Sequence, residues 1–180
     1  MVTTFICNVN ALFQGLDKEK AAANENFDEP VFLRFNTRDK TELAKGFPST
    51  KEELYKYHAV IIDDCEAGFF TADQHALIRE FVSERGGGLL MLGGMESLYE
   101  GRYHKTVVRD ILPVYLKLKP QVGVLDKRLK FSLTRDGLLQ PWVRLFENEA
   151  DEKTRRASMA EFRVMNRVSC VKPGARVLAE

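Results

Sequence analysis

Cysteine and histidine, the residues that build disulfide frameworks and most zinc sites, are scarce in this sequence. Its 180 residues contain three cysteines (Cys7, Cys65 and Cys170) and three histidines (His58, His75 and His104). The cysteines are odd in number, far apart and without a Cys-x-x-Cys pair, which argues against a disulfide scaffold or a structural zinc site and favours a reducing compartment. We therefore expect a cytoplasmic protein with no metal and no cofactor.

Long apolar runs are also missing. The sequence has no stretch of about 18 apolar residues and no charged segment followed by an apolar one of the kind that directs export. We expect no membrane contact by this segment itself. The composition, 44% apolar and 29% charged, is that of a globular chain with one core, and we expect a single domain over residues 1–180.

The net charge is close to zero, at +1, but it is unevenly distributed. Residues 1–126 carry 15 Lys and Arg against 19 Asp and Glu, a net charge of −4, whereas residues 127–180 carry 12 against 7, a net charge of +5. A basic half can indicate nucleic-acid binding. Here the basic residues are scattered and no aromatic residues alternate with them to stack on bases, so we expect a solvated face and no nucleic-acid partner.

The N-terminal part contains a helix pattern followed by a strand pattern. Apolar residues at positions 5, 9, 12, 13 and 16 form the stripe of an amphipathic helix, with a strand over Val2 to Val9 as the alternative. Val31 to Phe35 is short, aromatic and bounded by turn residues, which predicts a buried strand.

Two helices with capping signals follow. Thr50 and Glu53 have the spacing of a capping box before a short helix over Lys51 to Tyr57. Thr71 and Gln74 have the same spacing before a second helix. The apolar stripe of that second helix is Leu77, Ile78, Phe81 and Val82.

Each of these helices leads into an apolar strand. The strands are predicted at Ala59 to Ile62 and, after the helix-terminating Gly86-Gly-Gly88, at Leu89 to Leu92. Continuous apolar runs of this kind are typical of strands covered on both faces. Short strands that alternate with helices predict an open, mostly parallel α/β sheet.

The pattern changes after residue 92. Thr106 to Leu112 predicts a short helix ended by Pro113, and Val122 to Leu133 alternates apolar and polar residues, which predicts an antiparallel extension after residue 120. A doubly wound sheet normally opens with a strand, whereas the first predicted element here is a helix. We therefore expect the sheet to lack its first strand and the chain to be a fragment of a longer one.

The C-terminal part predicts further helix and a turn. Gly137 to Ala160 is helical in two pieces broken near Pro141, with Trp142 as the largest apolar anchor. Lys172-Pro-Gly174 predicts a turn before a strand that begins at Arg176.

Ligands of open α/β sheets bind beyond the carboxyl ends of the strands. The ligand-binding candidates at this edge are Asp63, Asp64, Gly93, Gly94, Glu96, Ser97 and Tyr103. The two glycines permit an anion to approach backbone amides, but neither a Walker loop nor Gly-x-Gly-x-x-Gly surrounds them, and a steric role is the alternative. Asp63, Asp64 and Glu96 are oxygen ligands suited to a divalent cation, but aspartate at a strand end also forms turns, and we expect no metal here.

Three side chains are candidates for catalysis. Cys65 follows a strand, but it is flanked by Asp64 and Glu66, and neighbouring carboxylates disfavour a thiolate. Ser97 and His104 form a candidate hydrolase pair that lacks the Gly-x-Ser-x-Gly turn. Cys7 and Cys170 are predicted to be packing residues.

Several segments resemble one family. They are Gly46-Phe-Pro-Ser-Thr-Lys-Glu-Glu-Leu-Tyr-Lys-Tyr57, Val60-Ile-Ile-Asp-Asp64 and Gly86-Gly-Gly-Leu-Leu-Met-Leu-Gly-Gly94, with Ser97, Gly101, Tyr103 and Leu112-Pro-Val114. Looser matches are Thr134-Arg-Asp-Gly-Leu-Leu139, Gln140-Pro-Trp142, Asn166-Arg-Val168 and Val171-Lys-Pro-Gly-Ala175. Together they are similar to the class I glutamine amidotransferase-like family of bacterial proteins.

The resemblance implies a flavodoxin-like fold, often within a larger protein that carries membrane helices or a von Willebrand A-like region. It does not imply the family's reaction. Active members place a cysteine in a Gly-x-Cys-x-Gly elbow after the strand that corresponds to Leu89 to Leu92, and this sequence has Gly93-Gly-Met95 there. Without a thiolate at that point no glutamyl thioester forms, and the usual His and Glu cannot be placed.

Three hypotheses for the function follow. The first is a non-catalytic domain whose crevice at Asp63 and Gly93 to Ser97 binds a small ligand or another domain of its parent protein. The second is a hydrolase or amidotransferase that uses Cys65 or Ser97. The third is a purely architectural domain whose crevice is filled by its own side chains or by neighbouring segments.

Overall fold

The computed structural model describes residues 4–6, 33–35, 37–116, 128–130, 132–162, 165–166 and 168–180. The strands are β1 (Thr4–Ile6), β2 (Leu33–Phe35), β3 (Ala59–Asp63), β4 (Gly88–Leu92), β5 (Val114–Tyr115) and β6 (Cys170–Val171). The α-helices are α1 (Lys51–Leu54), α2 (Ala72–Ser83), α3 (Arg135–Leu138) and α4 (Glu149–Ser158), and short 3-10 helices cover Ala67–Phe69, Tyr103–Lys105, Val107–Asp110 and Pro141–Val143. The chain is therefore of mixed α/β class, as predicted.

The described strands form three two-stranded sheets. β3 and β4 are parallel, with Ala59 opposite Gly88 and Asp63 opposite Leu92. This confirms the predicted parallel pair, in which α2 is the crossover helix. The β1–β2 and β5–β6 pairs are antiparallel. Among the described strands, the predicted open, mostly parallel sheet is therefore confirmed only for β3 and β4, because the strand predicted at residues 31–35 pairs with β1.

At residues 4–6 the helix prediction at the N-terminus is wrong, and the alternative prediction, a strand, is confirmed. Thr4–Ile6 is a strand that pairs with Leu33–Phe35, so a ladder with β2 overrides the helical period there. The rest of the predicted stripe, and Cys7 with it, lies outside the described residues. β2 itself confirms the C-terminal part of the strand predicted at residues 31–35.

The helix α2 forms for the reasons that its sequence indicates. The Thr71 hydroxyl accepts a hydrogen bond from the Gln74 amide at 3.2 Å, and the Gln74 side chain accepts one from the Thr71 amide at 3.0 Å, which completes the predicted capping box. After the helix ends, Gly86 adopts a φ of +76°, a left-handed conformation that favours glycine.

The buried apolar face of α2 joins two clusters. Ile78 packs with Ile62, Tyr103 and other residues of the larger cluster, whereas Leu77 and Phe81 pack with Leu54. The helix thus holds the parallel strand pair against the loops that follow both strands.

One prediction about β3 and β4 is wrong. The alternate residues Ile61 and Leu90 are opposite each other in the register and are 58% and 50% exposed. Among the described residues, the strands are therefore covered mainly on the face that carries Val60, Ile62 and Met91, where α2 and the 103–112 segment pack.

Other predicted elements are shorter than expected or differ in type. The predicted helix over Lys51 to Tyr57 ends at Leu54; its Thr50 cap is confirmed, while the Glu53 carboxylate accepts from the Ser49 amide instead of completing the box. The helix predicted at Thr106 to Leu112 is a 3-10 helix, Val107–Asp110.

The C-terminal predictions are confirmed in part. α3 and α4 are the two predicted helical pieces, separated around Pro141. Trp142 is not an apolar anchor, because it is 71% exposed, and the prediction that Cys170 is a packing residue is wrong, because this cysteine is exposed.

Two antiparallel bridges connect residues 129 and 133 to later parts of the chain. Leu129 pairs with Phe162, and Leu133 pairs with Ala179. They place the described part of the predicted antiparallel extension beside later residues. The turn at Lys172-Pro-Gly174 is confirmed, and its Gly174 has a φ of +85°.

Candidate functional site

The carboxyl ends of β3 and β4 lie side by side because the two strands are parallel and Asp63 is opposite Leu92. The loop from Asp64 to Thr71 leaves one strand and the loop from Gly93 to Arg102 leaves the other. We call the space between these two loops the crevice. Open α/β proteins bind ligands at this position.

Asp64 joins the two loops. Its Oδ1 accepts a hydrogen bond from the Glu96 amide at 2.7 Å, and its φ is +41°. A Cβ at Gly94 would lie 2.1 Å from the same oxygen, so the close approach of the loops requires glycine at this point. Leu98 and Arg102 also have positive φ, at 53° and 64°. The loops thus concentrate strained backbone, a feature common at functional sites.

Asn166 reaches the crevice from the C-terminal part of the chain. Its Oδ1 accepts from the Gly94 amide at 2.9 Å, and its Nδ2 donates to the Gly94 carbonyl at 2.8 Å and to the Glu100 carboxylate at 3.0 Å. Both backbone groups of Gly94 are therefore bonded to a single side chain. The Gly94 amide, which the sequence suggested as a donor to a bound anion, donates to the Asn166 carboxamide in this structure.

Ser97 and Tyr103, two of the predicted ligand-binding residues, are fully buried. The Ser97 hydroxyl donates to the Leu92 carbonyl at 2.7 Å, and the Tyr103 hydroxyl donates to the Cys65 carbonyl at 2.8 Å. Both hydroxyls thus position the loops from inside. The exposed side chains at the rim include those of Asp63, Asp64, Met95 and Glu96.

The candidate catalytic side chains lie in different environments. Cys65 is buried, and its thiol donates to the Glu66 carbonyl at 3.7 Å. The His104 ring stacks on Tyr99 at a centroid distance of 3.9 Å, and its Nδ1 has no hydrogen-bond partner among the described residues. With its hydroxyl directed to Leu92, Ser97 does not hydrogen-bond to this imidazole.

His75 lies on α2 behind the crevice and was not singled out by the sequence. Its ring packs against Phe70 and Tyr103 at centroid distances of 5.8 and 6.3 Å. Burial lowers the pKa of His75 below its usual 6.5, and Nε2 has no hydrogen-bond partner among the described residues. The imidazole is therefore held in its neutral form at neutral pH.

Acidic residues at the rim do not form a metal centre in the described part of the chain. There, no three His, Cys, Asp or Glu side chains come together in a group suited to a metal ion.

Asn166, the principal residue that sequence reasoning missed, is 72 positions from Gly94. The resemblance includes Asn166-Arg-Val168 but assigns it no role. No local pattern brings these two residues together, so only the tertiary structure reveals the contact.

No family model and no curated protein matches the chain. Two solved structures from Salmonella are similar to it. Cytoplasmic Protein STM1381 from Salmonella typhimurium LT2 is 26% identical, with a TM-score of 0.49. The match covers 74% of the chain described here and 56% of the Salmonella protein. Cytoplasmic Protein STM3548 from Salmonella typhimurium has a TM-score of 0.54 and 18% identity over 99% of this chain and 75% of that chain. The second likeness shows a shared fold.

Among the described residues, no helix combines the length and the apolar character needed to cross a membrane.

Proposed function

We propose that this chain is a flavodoxin-like, class I glutamine amidotransferase-like domain that does not catalyse amide hydrolysis. Its crevice binds a ligand, and the more specific form of the proposal is that this ligand is another segment of the parent protein. We also propose a cytoplasmic location, in line with the few and widely spaced cysteines of the sequence and with the description of the Salmonella protein that shares the fold.

The loop after β4 carries the proposal. Aligned with the Gly-x-Cys-x-Gly elbow of active amidotransferases, Gly93-Gly94-Met95 puts a methionine where the nucleophile would stand. Met95 is 65% exposed, so the position is open to solvent, but a thioether cannot form the thioester that amide hydrolysis requires.

The nearby thiol does not replace the missing nucleophile. Cys65 lies just after β3 and is only 8% exposed, and its thiol donates a hydrogen bond to the carbonyl of Glu66. Reactive cysteines lie in electropositive, partly exposed surroundings, and this one lies beside the carboxylates of Asp64 and Glu66. Its surroundings therefore favour a packing role.

Asn166 supports the form of the proposal in which the crevice binds protein. A side chain from a distant part of the chain already occupies the backbone groups of Gly94, and the Glu100 carboxylate completes its hydrogen bonds. A crevice with this chemistry suits the polar side chains of a protein segment better than it suits an anion.

Two assays on the full-length protein test the proposal. We expect no release of ammonia from glutamine, and we expect the Cys65→Ala variant to be indistinguishable from wild type. Glutaminase turnover that disappears in Cys65→Ala, or in Ser97→Ala, would instead support the hydrolase hypothesis.

Cysteine labelling provides a matched internal control. Cys170 is exposed and Cys65 is buried, so iodoacetamide should modify Cys170 well before Cys65 when the peptides are quantified by mass spectrometry. Faster modification of Cys65 than of Cys170 would show an activated thiol and contradict the proposal.

A further inference from the structure

The three hydrogen bonds of Asn166 define a chemical pattern. At one point the crevice offers a donor, the Gly94 amide, and at two points it offers acceptors, the Gly94 carbonyl and the Glu100 carboxylate. A ligand that satisfies all three has one acceptor oxygen and an NH₂ group with two donor hydrogens. A primary carboxamide has this set.

Other common groups do not fit the pattern. A carboxylate would place negative charge against the Glu100 carboxylate and the Gly94 carbonyl. An ammonium group has no acceptor for the Gly94 amide, and a hydroxyl has only one hydrogen to donate. The amide orientation of Asn166 is set by the same logic, because the reversed orientation would leave Glu100 facing an oxygen.

The backbone around this point has the shape to admit the group. A Cβ at Gly93 would lie 2.7 Å from Asn166 Oδ1, so a side chain at position 93 would exclude the carboxamide. Glycine at position 93 therefore has a steric reason that concerns the bound group. This differs from Gly94, where the neighbouring Asp64 side chain sets the requirement.

Asn166 lies beside a C-terminal arm, residues 168–172, that hydrogen-bonds to residues 109–115 and packs on the larger core cluster through Val168. Its amides at Ser169 and Lys172 donate to the carbonyls of Tyr115 and Pro113. The Lys172 ammonium donates to two carbonyls, of Arg109 and Asp110, at 2.8 and 2.9 Å. The arm pairs over only two residues of β5, and its β6 residues are exposed. Because Val168 packs on the core, withdrawal of Asn166 means rotation of its own half-buried side chain out of the contact, with the arm left in place.

We infer that Gly94 and Glu100 form a primary-carboxamide subsite, which Asn166 occupies within the chain and which an external carboxamide occupies when Asn166 is withdrawn. This inference rests on the proposed binding role of the crevice and names the chemical class of its ligand. The external group is the side chain of asparagine or glutamine in another protein segment, or a free small amide.

Emptying the subsite provides the central test. We expect Asn166→Ala in the full chain to lower Tm by about 3 °C, because three hydrogen bonds are lost at a partly exposed position. Acetamide should restore Tm in this variant in a saturable way and should leave the wild type unchanged at the same concentration. N,N-dimethylacetamide, which has no N–H, and acetate are the matched controls.

Two further variants separate the subsite from a general effect of the amide on stability. Asn166→Asp keeps the shape of the side chain but places a carboxylate against Glu100, so we expect a larger loss of Tm at neutral pH than for Asn166→Ala, and no response to acetamide. Glu100→Gln in the wild-type background should lower Tm less than Asn166→Ala does, because the new carboxamide oxygen still accepts the hydrogen bond from Asn166.

The ligand's source is tested by titrating the Asn166→Ala variant with N-acetylasparagine N-methylamide and with free glutamine, while following the Gly94 amide by NMR. Tighter binding of the blocked asparagine supports a protein segment as the partner, and tighter binding of glutamine supports a small molecule; either ranking supports the subsite. Equal responses to acetamide and dimethylacetamide, or an unmoved Gly94 amide, would overturn it. Such a failure leaves the glutaminase and labelling tests unaffected, since those report on catalysis and on Cys65.

Discussion

Residues 37–116 and residues 128–180 are stabilised in different ways. In the first region the buried apolar side chains run from Leu54 to Leu116 and form two clusters, both of which include residues of α2. In the second region, as far as it is described, Leu139, Trp142 and Leu145 are each more than 65% exposed. Burial of apolar area therefore holds the parallel-strand unit, whereas polar contacts hold the C-terminal part.

A buried carboxylate organises the C-terminal part. Glu152 on α4 is 1% exposed, and it accepts from the amides of Leu145 and Phe146 and from the Arg155 guanidinium. The hydrogen bonds from Arg155 and from the two amides lower the pKa of Glu152 to about 2. The core and the C-terminal part should therefore respond to different perturbations.

The largest expected difference between the two regions comes from truncating one aromatic side chain in each. Phe81→Ala removes a fully buried ring, and we expect it to lower the free energy of unfolding by about 3–5 kcal/mol. Trp142→Ala removes a larger but exposed ring and should change it by less than about 0.5 kcal/mol. Urea unfolding of both variants measures the two losses in the free energy of unfolding. Similar losses would show that apolar burial does not distinguish the two regions.

The capping box of α2 gives the next effect. In Thr71→Ala the Gln74 amide loses its acceptor, and we expect a loss of about 1 kcal/mol in the free energy of unfolding. Thr71→Ser keeps the hydroxyl and is the matched control. If both variants unfold at the same urea concentration, the cap does not contribute as the geometry indicates.

The pH dependence of the core is a smaller effect. Because burial lowers the pKa of His75 in the folded protein, the unfolded chain binds more protons as the pH falls below 6.5. Folded stability is therefore complete above that pH and declines below it. We expect His75→Phe to flatten this decline in urea unfolding measured between pH 7.5 and 5. An unchanged slope would show that other groups produce it.

The smallest effect on global unfolding, and the most local, concerns Glu152. Glu152→Gln should increase hydrogen exchange at the Leu145 and Phe146 amides while leaving that of α2 unchanged, because the described hydrogen bonds of the carboxylate all lie within the C-terminal part. In the wild type, since the pKa is lowered from 4.5 to about 2, this stabilisation is present above pH 4.5 and is lost as the pH falls through about 2. Glu149→Gln, at an exposed position on the same helix, is the control.

Elements of the fold that depend on interactions within a few positions can be predicted from the sequence, whereas elements that depend on distant partners cannot. The unit from β3 through α2 to β4 was predicted almost to the residue, since its capping box, its apolar stripe and its terminating glycine act within a few positions. The strand at residues 4–6 was only the alternative prediction, because its partner lies at residues 33–35 and the local period favoured a helix.

The candidate site divides in the same way. The position rule for parallel strands correctly placed Asp63 and Gly93 near each other, because strand direction alone determines that edge. It could not indicate that Ser97 and Tyr103 direct their hydroxyls into the interior or that Asp64 would bond to the Glu96 amide. These facts depend on how the loops fold against each other.

Local order, the class of the fold and the edge where a site would lie were thus determined by the sequence itself, through interactions between near neighbours. Only the tertiary structure decided that Ile61 is exposed, that Cys170 faces solvent and that Asn166 bonds to Gly94. The physical reason is that burial and long-range hydrogen bonding depend on which distant segments meet, and neither hydrophobic period nor turn chemistry carries that information.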